Sequence, residues 1–316
     1  MCTAVFFRSK DRYFGRNLDL ERGYGEQVVI TPRRFLLEHG LFRMKSSYAM
    51  IGMATVADGF PLYYEATNEK GLSMAGLNFP GNAYYGQPVD GKENIAPYAF
   101  IPWVLGRCED LEQVERELAK LQLVREDFSP QLPLSPLHWM ISDKHRSIVV
   151  ESMESGLKIW DNPFEVLTNN PPFDYHRLHL NDFMGVSAGP LVSQFAENYH
   201  FQNYSLGMGA MGLPGDFSSS SRFVKAFFVK ENSKCGEDEA SSVHQFFHIL
   251  GSVSMPRGCV WTENGYEYTR YSSCCNVDRG VYYYTTYYDS QIKSVNLFDA
   301  DLDGKFLRTF EVKGLE

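Results

Sequence analysis

An α+β fold of largely antiparallel sheets with helices outside them is what this sequence predicts, on three observations. Strand-like runs come first, helical patterns fill the middle, and strands return at the end. Short connections join the strand-like runs, as suits antiparallel neighbours. No internal repeat, low-complexity tract or Pro/Gly/Ser linker interrupts the 316 residues, so the chain reads as one domain, 1–316.

Taken in order, residues 2–8, 13–16, 27–31, 48–56, 62–67 and 71–77 are rich in β-branched and aromatic side chains, with Gly, Asp and Pro between them. Residues 97–107 are apolar nearly all round and predict a buried helix, while LEQVERELAKL at 111–121 is amphipathic. Strands are expected again at 137–142, 147–152 and 157–160. Helical spacing recurs at 173–182, 221–231 and 240–251, with serines 218 to 221 as N-cap candidates for the second. Strands at 271–277, 280–288 and 292–297 close the pattern.

Composition excludes more than it identifies. A net charge of −9 with no run of Lys or Arg argues against nucleic acid, whose phosphates demand clustered cations, and against an anionic membrane surface. No window approaches the roughly 18 apolar residues of a membrane span, and the apolar stretch from Ala4 to Phe7 is too short for a signal peptide. The six cysteines have neither CxxC spacing nor disulfide-scaffold density, so reduced thiols in a cytoplasm are expected, with a small molecule as partner.

Several motifs fail their context tests. Gly207 to Gly212 fits G-x-G-x-x-G, but Pro214 and Gly215 follow where a helix should open, which predicts a loop. Asp299 to Gly304 begins like a calcium loop, yet its twelfth position is Phe310 rather than a carboxylate. His244 and His248 lack the glutamate of a zinc-hydrolase helix. His176, His179 and Asp182 read as surface or core residues. No metal is expected.

Cys2 differs because of its position. Removing Met1 would leave one residue carrying both a thiol and an α-amine, and an amine of pKa about 7.7–8.0 can take the thiol proton and return it to a leaving amine. Taken alone, Cys2 reads equally as a buried strand cysteine. FGRNLD at 14–19 lies on the next strand of a hairpin, where alternation puts Asn17 and Asp19 on one face and Arg16 and Leu18 on the other. An aspartate beside the terminal ammonium would orient it, and an arginine beside the thiol would favour thiolate.

With these residues stand NEKGLSMAGLNFP at 68–80, LHWMISD at 137–143, LTNNPPFDYH at 167–176, GLPGDFSSSSRF at 212–223, FFHIL at 246–250 and YYYTTY at 282–287. Together and in this order they resemble the choloylglycine hydrolase family, the bile salt hydrolases and penicillin V acylases of the N-terminal nucleophile superfamily, and most closely its bile salt hydrolases. The resemblance implies a four-layer αββα sandwich of two antiparallel sheets between helices, no cofactor, and a homotetramer. It implies Cys2 as nucleophile and base, Arg16 and Asp19 positioning it, Asn169 and Asn78 at the oxyanion, and Arg222 after the serine-rich turn. It further implies a steroid pocket lined by Leu18, Ala57, Tyr64, Phe128, Leu132 and Leu137. Asn78 points to bile salts over penicillin V, since many penicillin V acylases carry Tyr there; read alone, Asn78 equally serves a turn.

The implied reaction is hydrolysis of glycine- and taurine-conjugated bile salts through a Cys2 thioester. Penicillin V or N-acyl-homoserine lactone acylase activity is the alternative within the class. A silent bile-acid or acyl binder is the alternative outside it, and such a binder would need none of the catalytic set.

Overall fold

Two antiparallel sheets stacked face to face, with helices outside both, make up the computed structural model, which describes residues 1–315. At the centre of the first sheet lies a hairpin of β1 (Cys2–Arg8) and β2 (Arg12–Leu20), which pairs Cys2 with Leu18 and Ala4 with Arg16. Val166–Leu167 flanks β1, and Gly265–Asn276 flanks β2, followed outward by Val281–Thr286 and Asp289–Asn296. The second sheet runs Gly156–Asp161, Ser147–Met153, Leu137–Ser142, Ser73–Asn78, Phe60–Asn68, Met50–Ala57, Glu26–Thr31 and Arg308–Glu311.

Strand alternation accounts for the layering. Met140 and Val149 pack in one core with Ala4, Phe6 and Phe14 of the first sheet, whereas Trp139, Ile141, Ile148 and Val150 pack in a second core with α1 (Pro97–Leu105) and α2 (Leu111–Leu118). A period of two therefore sends successive side chains to the sheet–sheet seam and to the outer helices. On the far side, Phe223 and Ala226 of α4 (Ser219–Asn232) and Phe246 and Ile249 of α5 (Glu239–Gly251) cover the first sheet. The αββα plan follows.

Local chemistry starts the helices where the sequence signals it. Asp110 caps α2 by accepting from the Gln113 amide at 2.8 Å, and the Ser218 hydroxyl caps α4 through the Ser221 amide at 3.4 Å. Gly15 lets β2 approach its neighbour: a Cβ there would lie 1.9 Å from the Ser273 carbonyl oxygen. Without it, Arg16 would be displaced.

Some boundaries differ from expectation. The helix expected to reach 121 stops at Leu118, because Leu121–Leu123 turns into a strand that pairs in parallel with Glu93–Ile95 and buries both leucines. The helix expected over 173–182 is α3 (Phe173–His179), which tightens into a 3₁₀ turn at Leu180–Phe183. A small hairpin, Leu36–His39 with Phe42–Lys45, and the edge strand Arg308–Glu311 are additional.

The glycine motif at 207–212 holds only a short 3₁₀ turn, Met208–Ala210, rather than a strand–helix junction. Among the described residues no cluster of three or more His, Cys, Asp or Glu could hold a metal ion, no helix is long and apolar enough to cross a membrane, and all six cysteines are free thiols.

Candidate active site

Cys2 opens β1 opposite Leu18 and is only 3% exposed. With Arg16 and Leu18 it lines a cavity of about 300 Å³, the lower end of the usual size for small-molecule sites. Tyr64, Asn78, Phe128, Leu132 and Leu137 also line this cavity. Ala57 does not: it ends the Met50–Ala57 strand and packs against the outer core. A larger groove of about 690 Å³ runs between α5 and the strand ends near Thr285 and Tyr287, but it excludes Cys2. Chemistry, not size, picks the site.

Arg16 is fully buried and joins the two sheets. Its Nη1 donates to the carbonyls of Tyr64 at 3.0 Å and Gly76 at 2.6 Å, both on the second sheet. Its Nε lies 3.8 Å from the buried Glu65 carboxylate, which accepts from the hydroxyls of Tyr271 at 2.8 Å and Tyr282 at 2.5 Å. Burial disfavours the Arg16 charge, yet the thiol of Cys2, Tyr271, Glu65 and Asp19 outweigh it and raise its pKa. The guanidinium stays charged beside the thiol. Glu65, which sequence reasoning passed over, keeps a carboxyl pushed above its usual range by burial, against the pull of Arg16 and both tyrosines.

The backbone end of Cys2 is held from the opposite side. Its nitrogen donates to Asn169 Oδ1 at 2.7 Å. Arg222, from the first turn of α4, donates through Nη1 to the Cys2 carbonyl at 2.5 Å and to Thr3 Oγ1 at 2.6 Å, and through Nη2 to Asn169 Oδ1 at 2.8 Å. Burial lowers the Arg222 pKa, partly offset by Asp19, whose Oδ2 lies 4.0 Å from Nη1. Thr269 donates to Asp19 Oδ1 at 2.6 Å, leaving Asp19 Oδ2 buried with no hydrogen-bond partner among the described residues. Met1 occupies the remaining space: its amine donates to the Asp19 carbonyl at 2.8 Å and pairs with Glu267. Burial lowers that amine's pKa, against the charges of Cys2 and Asp19.

The two asparagines meet as well. Asn169 Nδ2 donates to the Asn78 carbonyl at 2.7 Å, which leaves Asn169 one further N–H, while the Asn78 side chain lines the cavity. Ser219 accepts from the Asn169 amide at 2.8 Å and donates to Thr168 Oγ1 at 2.9 Å, so the serine-rich turn both caps α4 and fixes this loop. Thr269 carries no sequence signal and Ser219 only that of a helix cap, since only folding sets them beside Asp19 and Asn169.

A buried thiol beside a fixed guanidinium, with asparagine amides at its backbone end, has the groups that acyl transfer from a C–N bond needs. Architecture and site together define a linear amide C–N hydrolase. The chain belongs to the choloylglycine hydrolase family, whose model matches residues 2–310. It is 50% identical to the bile salt hydrolase/transferase of Lactiplantibacillus plantarum, over 99% of this chain and 97% of that one. A mutant conjugated bile acid hydrolase from Clostridium perfringens superposes with a TM-score of 0.92 at 35% identity, covering 99% of this chain and 98% of that one. Penicillin V acylase from Agrobacterium tumefaciens shares the fold, with a TM-score of 0.77 at 19% identity over 98% and 91% of the two chains.

Proposed function

We propose that this protein deconjugates bile salts, hydrolysing the amide that joins a bile acid to glycine or taurine. The observation that carries the reading is that Cys2 and Arg16 line an otherwise largely apolar cavity. The names of the Lactiplantibacillus and Clostridium relatives support the substrate class.

In this mechanism Met1 is first removed, exposing the Cys2 α-amine. The amine takes the thiol proton, and the thiolate attacks the amide carbon to form a tetrahedral oxyanion. Two supports for this step stand in the structure. Asp19 Oδ2 is a buried acceptor with no hydrogen-bond partner among the described residues, suited to the new ammonium, and Arg16 sets a positive charge beside the Cys2 thiol. The remaining N–H of Asn169 and the amide of Asn78 serve the oxyanion in this mechanism. Collapse breaks the C–N bond, the ammonium passes its proton to the departing amine, and a thioester remains. Water then attacks the thioester with the amine as base, releasing bile acid and restoring Cys2.

Leu18, Tyr64, Phe128, Leu132 and Leu137 serve the steroid face. The chain acts as one domain in a reduced cytoplasm and as a homotetramer, the last supported by the exposed Phe195, Tyr199, Phe201 and Tyr204 between α3 and α4. Product analysis after incubation with taurocholate, glycocholate and penicillin V tests the substrate. At least about tenfold higher kcat/KM on the conjugates, roughly 1.4 kcal/mol of discrimination, is expected. Preference for penicillin V would refute the assignment, and so would intact mass showing Met1 retained on active enzyme.

A further inference from the structure

Asn169 makes every side-chain contact described above from a loop, and a loop alone would not hold an amide to the tolerance that such chemistry needs. Two buried histidines frame that loop. His138, on the Leu137–Ser142 strand, places its Nε2 2.9 Å from the Thr168 carbonyl. His176, on α3, places its Nε2 2.9 Å from the Asn169 carbonyl. A carbonyl only accepts, so both Nε2 atoms carry a proton and donate. Consecutive peptide carbonyls are thus fixed by consecutive imidazoles.

Each ring is itself held. His138 stacks on Phe79 at 4.2 Å, the residue after Asn78, and its Nδ1 lies 3.2 Å from Glu151 Oε1. The same Glu151 oxygen accepts from the Phe173 amide at 2.9 Å, where α3 begins, and Oε2 accepts from Trp160 Nε1 at 3.0 Å. One turn along α3, His176 stacks on Phe223 at 4.7 Å, the neighbour of Arg222. A closed circuit therefore runs from Glu151 through His138 to Thr168, and from Glu151 through α3 and His176 to Asn169. Along the way it touches the neighbours of Asn78 and Arg222. His138, Glu151 and His176 are all fully buried, and none lines the cavity that holds Cys2.

We propose that His138 and His176 are positioning residues for the reaction: by donating to the Thr168 and Asn169 carbonyls they set the aim of the Asn169 amide, without touching substrate. The circuit joins the loop to the strand carrying Asn78 and to the helix carrying Arg222, so both asparagines and the arginine keep one relative geometry. The inference rests on the reading of Asn169 as an oxyanion donor.

A matched pair of substitutions tests it. H176Q keeps an amide N–H near the position of Nε2, whereas H176N is equally polar but too short to reach the Asn169 carbonyl. In the full-length enzyme, H176N is expected to lower kcat for taurocholate by about tenfold or more with KM within about twofold, and H176Q to stay within about threefold of wild type. The rate of Cys2 alkylation by iodoacetamide, a reaction that forms no oxyanion, should be unchanged in both. H138N and H138Q repeat the comparison at the Thr168 carbonyl should H176N not fold. Equal kcat in the Gln and Asn variants at both positions, or a parallel fall in alkylation rate, would overturn the proposal and leave the histidines as core residues. N169A serves as the control: full activity in N169A would refute the underlying role of Asn169, whereas loss in N169A without loss in H176N or H138N would refute the histidine assignment alone.

Discussion

Replacing Arg222 by lysine keeps the charge and tests whether the site needs a charge or a fork. The guanidinium serves four acceptors: the Cys2 carbonyl, Thr3 Oγ1, Asn169 Oδ1 and, through Nε at 3.0 Å, the Phe217 carbonyl. These lie on different sides of a planar group, and a lysine ammonium on its single stem cannot reach them together. Two such bonds lost from a charged donor, at about 1.5–3 kcal/mol each, put the total loss near 3–6 kcal/mol. Charge repair by lysine returns part of this, so stability should fall by about 3 kcal/mol. If one bond's share, about 2 kcal/mol, is felt at the transition state, kcat falls about 30-fold. Steady-state release of taurine from taurocholate and urea denaturation of the same sample measure the two effects. Should R222K keep kcat within about threefold and an unchanged denaturation midpoint, the clamp does not position Cys2 and the reasoning fails.

Three other outcomes are expected. Burial lowers the His176 pKa to about 4; a depressed pKa stabilises above the unfolded value of about 6.5 and is lost as pH falls, so wild type should lose about 3 kcal/mol relative to H176Q between about pH 6.5 and 4. Urea titrations at several pH values measure this, and a pH-independent difference would contradict it. Iodoacetamide should inactivate the enzyme through Cys2, with Cys259, the exposed thiol, as its competitor, while burial protects Cys108, Cys274 and Cys275 by pushing their thiols up; peptide mapping that finds inactivation with Cys2 unmodified would rule out its role. N78A should lower bile-salt kcat by less than N169A does, because the Asn78 carbonyl that orders Asn169 survives the substitution; steady-state kinetics showing the reverse order would make Asn78 the principal donor.

The hairpin of β1 and β2 was legible in the sequence because β-branched and aromatic residues there alternate between short turns. Helices α2, α4 and α5 were legible from their apolar spacing, with serines 218 to 221 marking the start of α4. Cys2, Arg16 and Asp19 stood out because the hairpin alone brings them within one element. Leu121 was absorbed into a helix because it continues the helical spacing, and only the partner strand at Glu93–Ile95 decides otherwise. Arg308–Glu311 follows an acidic turn with little apolar character, so its pairing with Glu26–Thr31 has no local signature. His138 and His176 lie 38 residues apart in sequence, and each alone reads as a core residue. Neither spacing nor composition reveals that they flank one peptide unit. Ala57 was placed in the pocket by resemblance, but it packs against the outer core instead.

The contacts of Arg16 with the Tyr64 and Gly76 carbonyls, together with those of Glu65 with Tyr271 and Tyr282, cross from one sheet to the other. Sliding the sheets by a single ångström would strain all four at once. Phe128, Leu132 and Leu137 line the same cavity and make none of these crossings. Under the proposed function, those three side chains can change with the ligand while the cross-sheet clamp keeps its register.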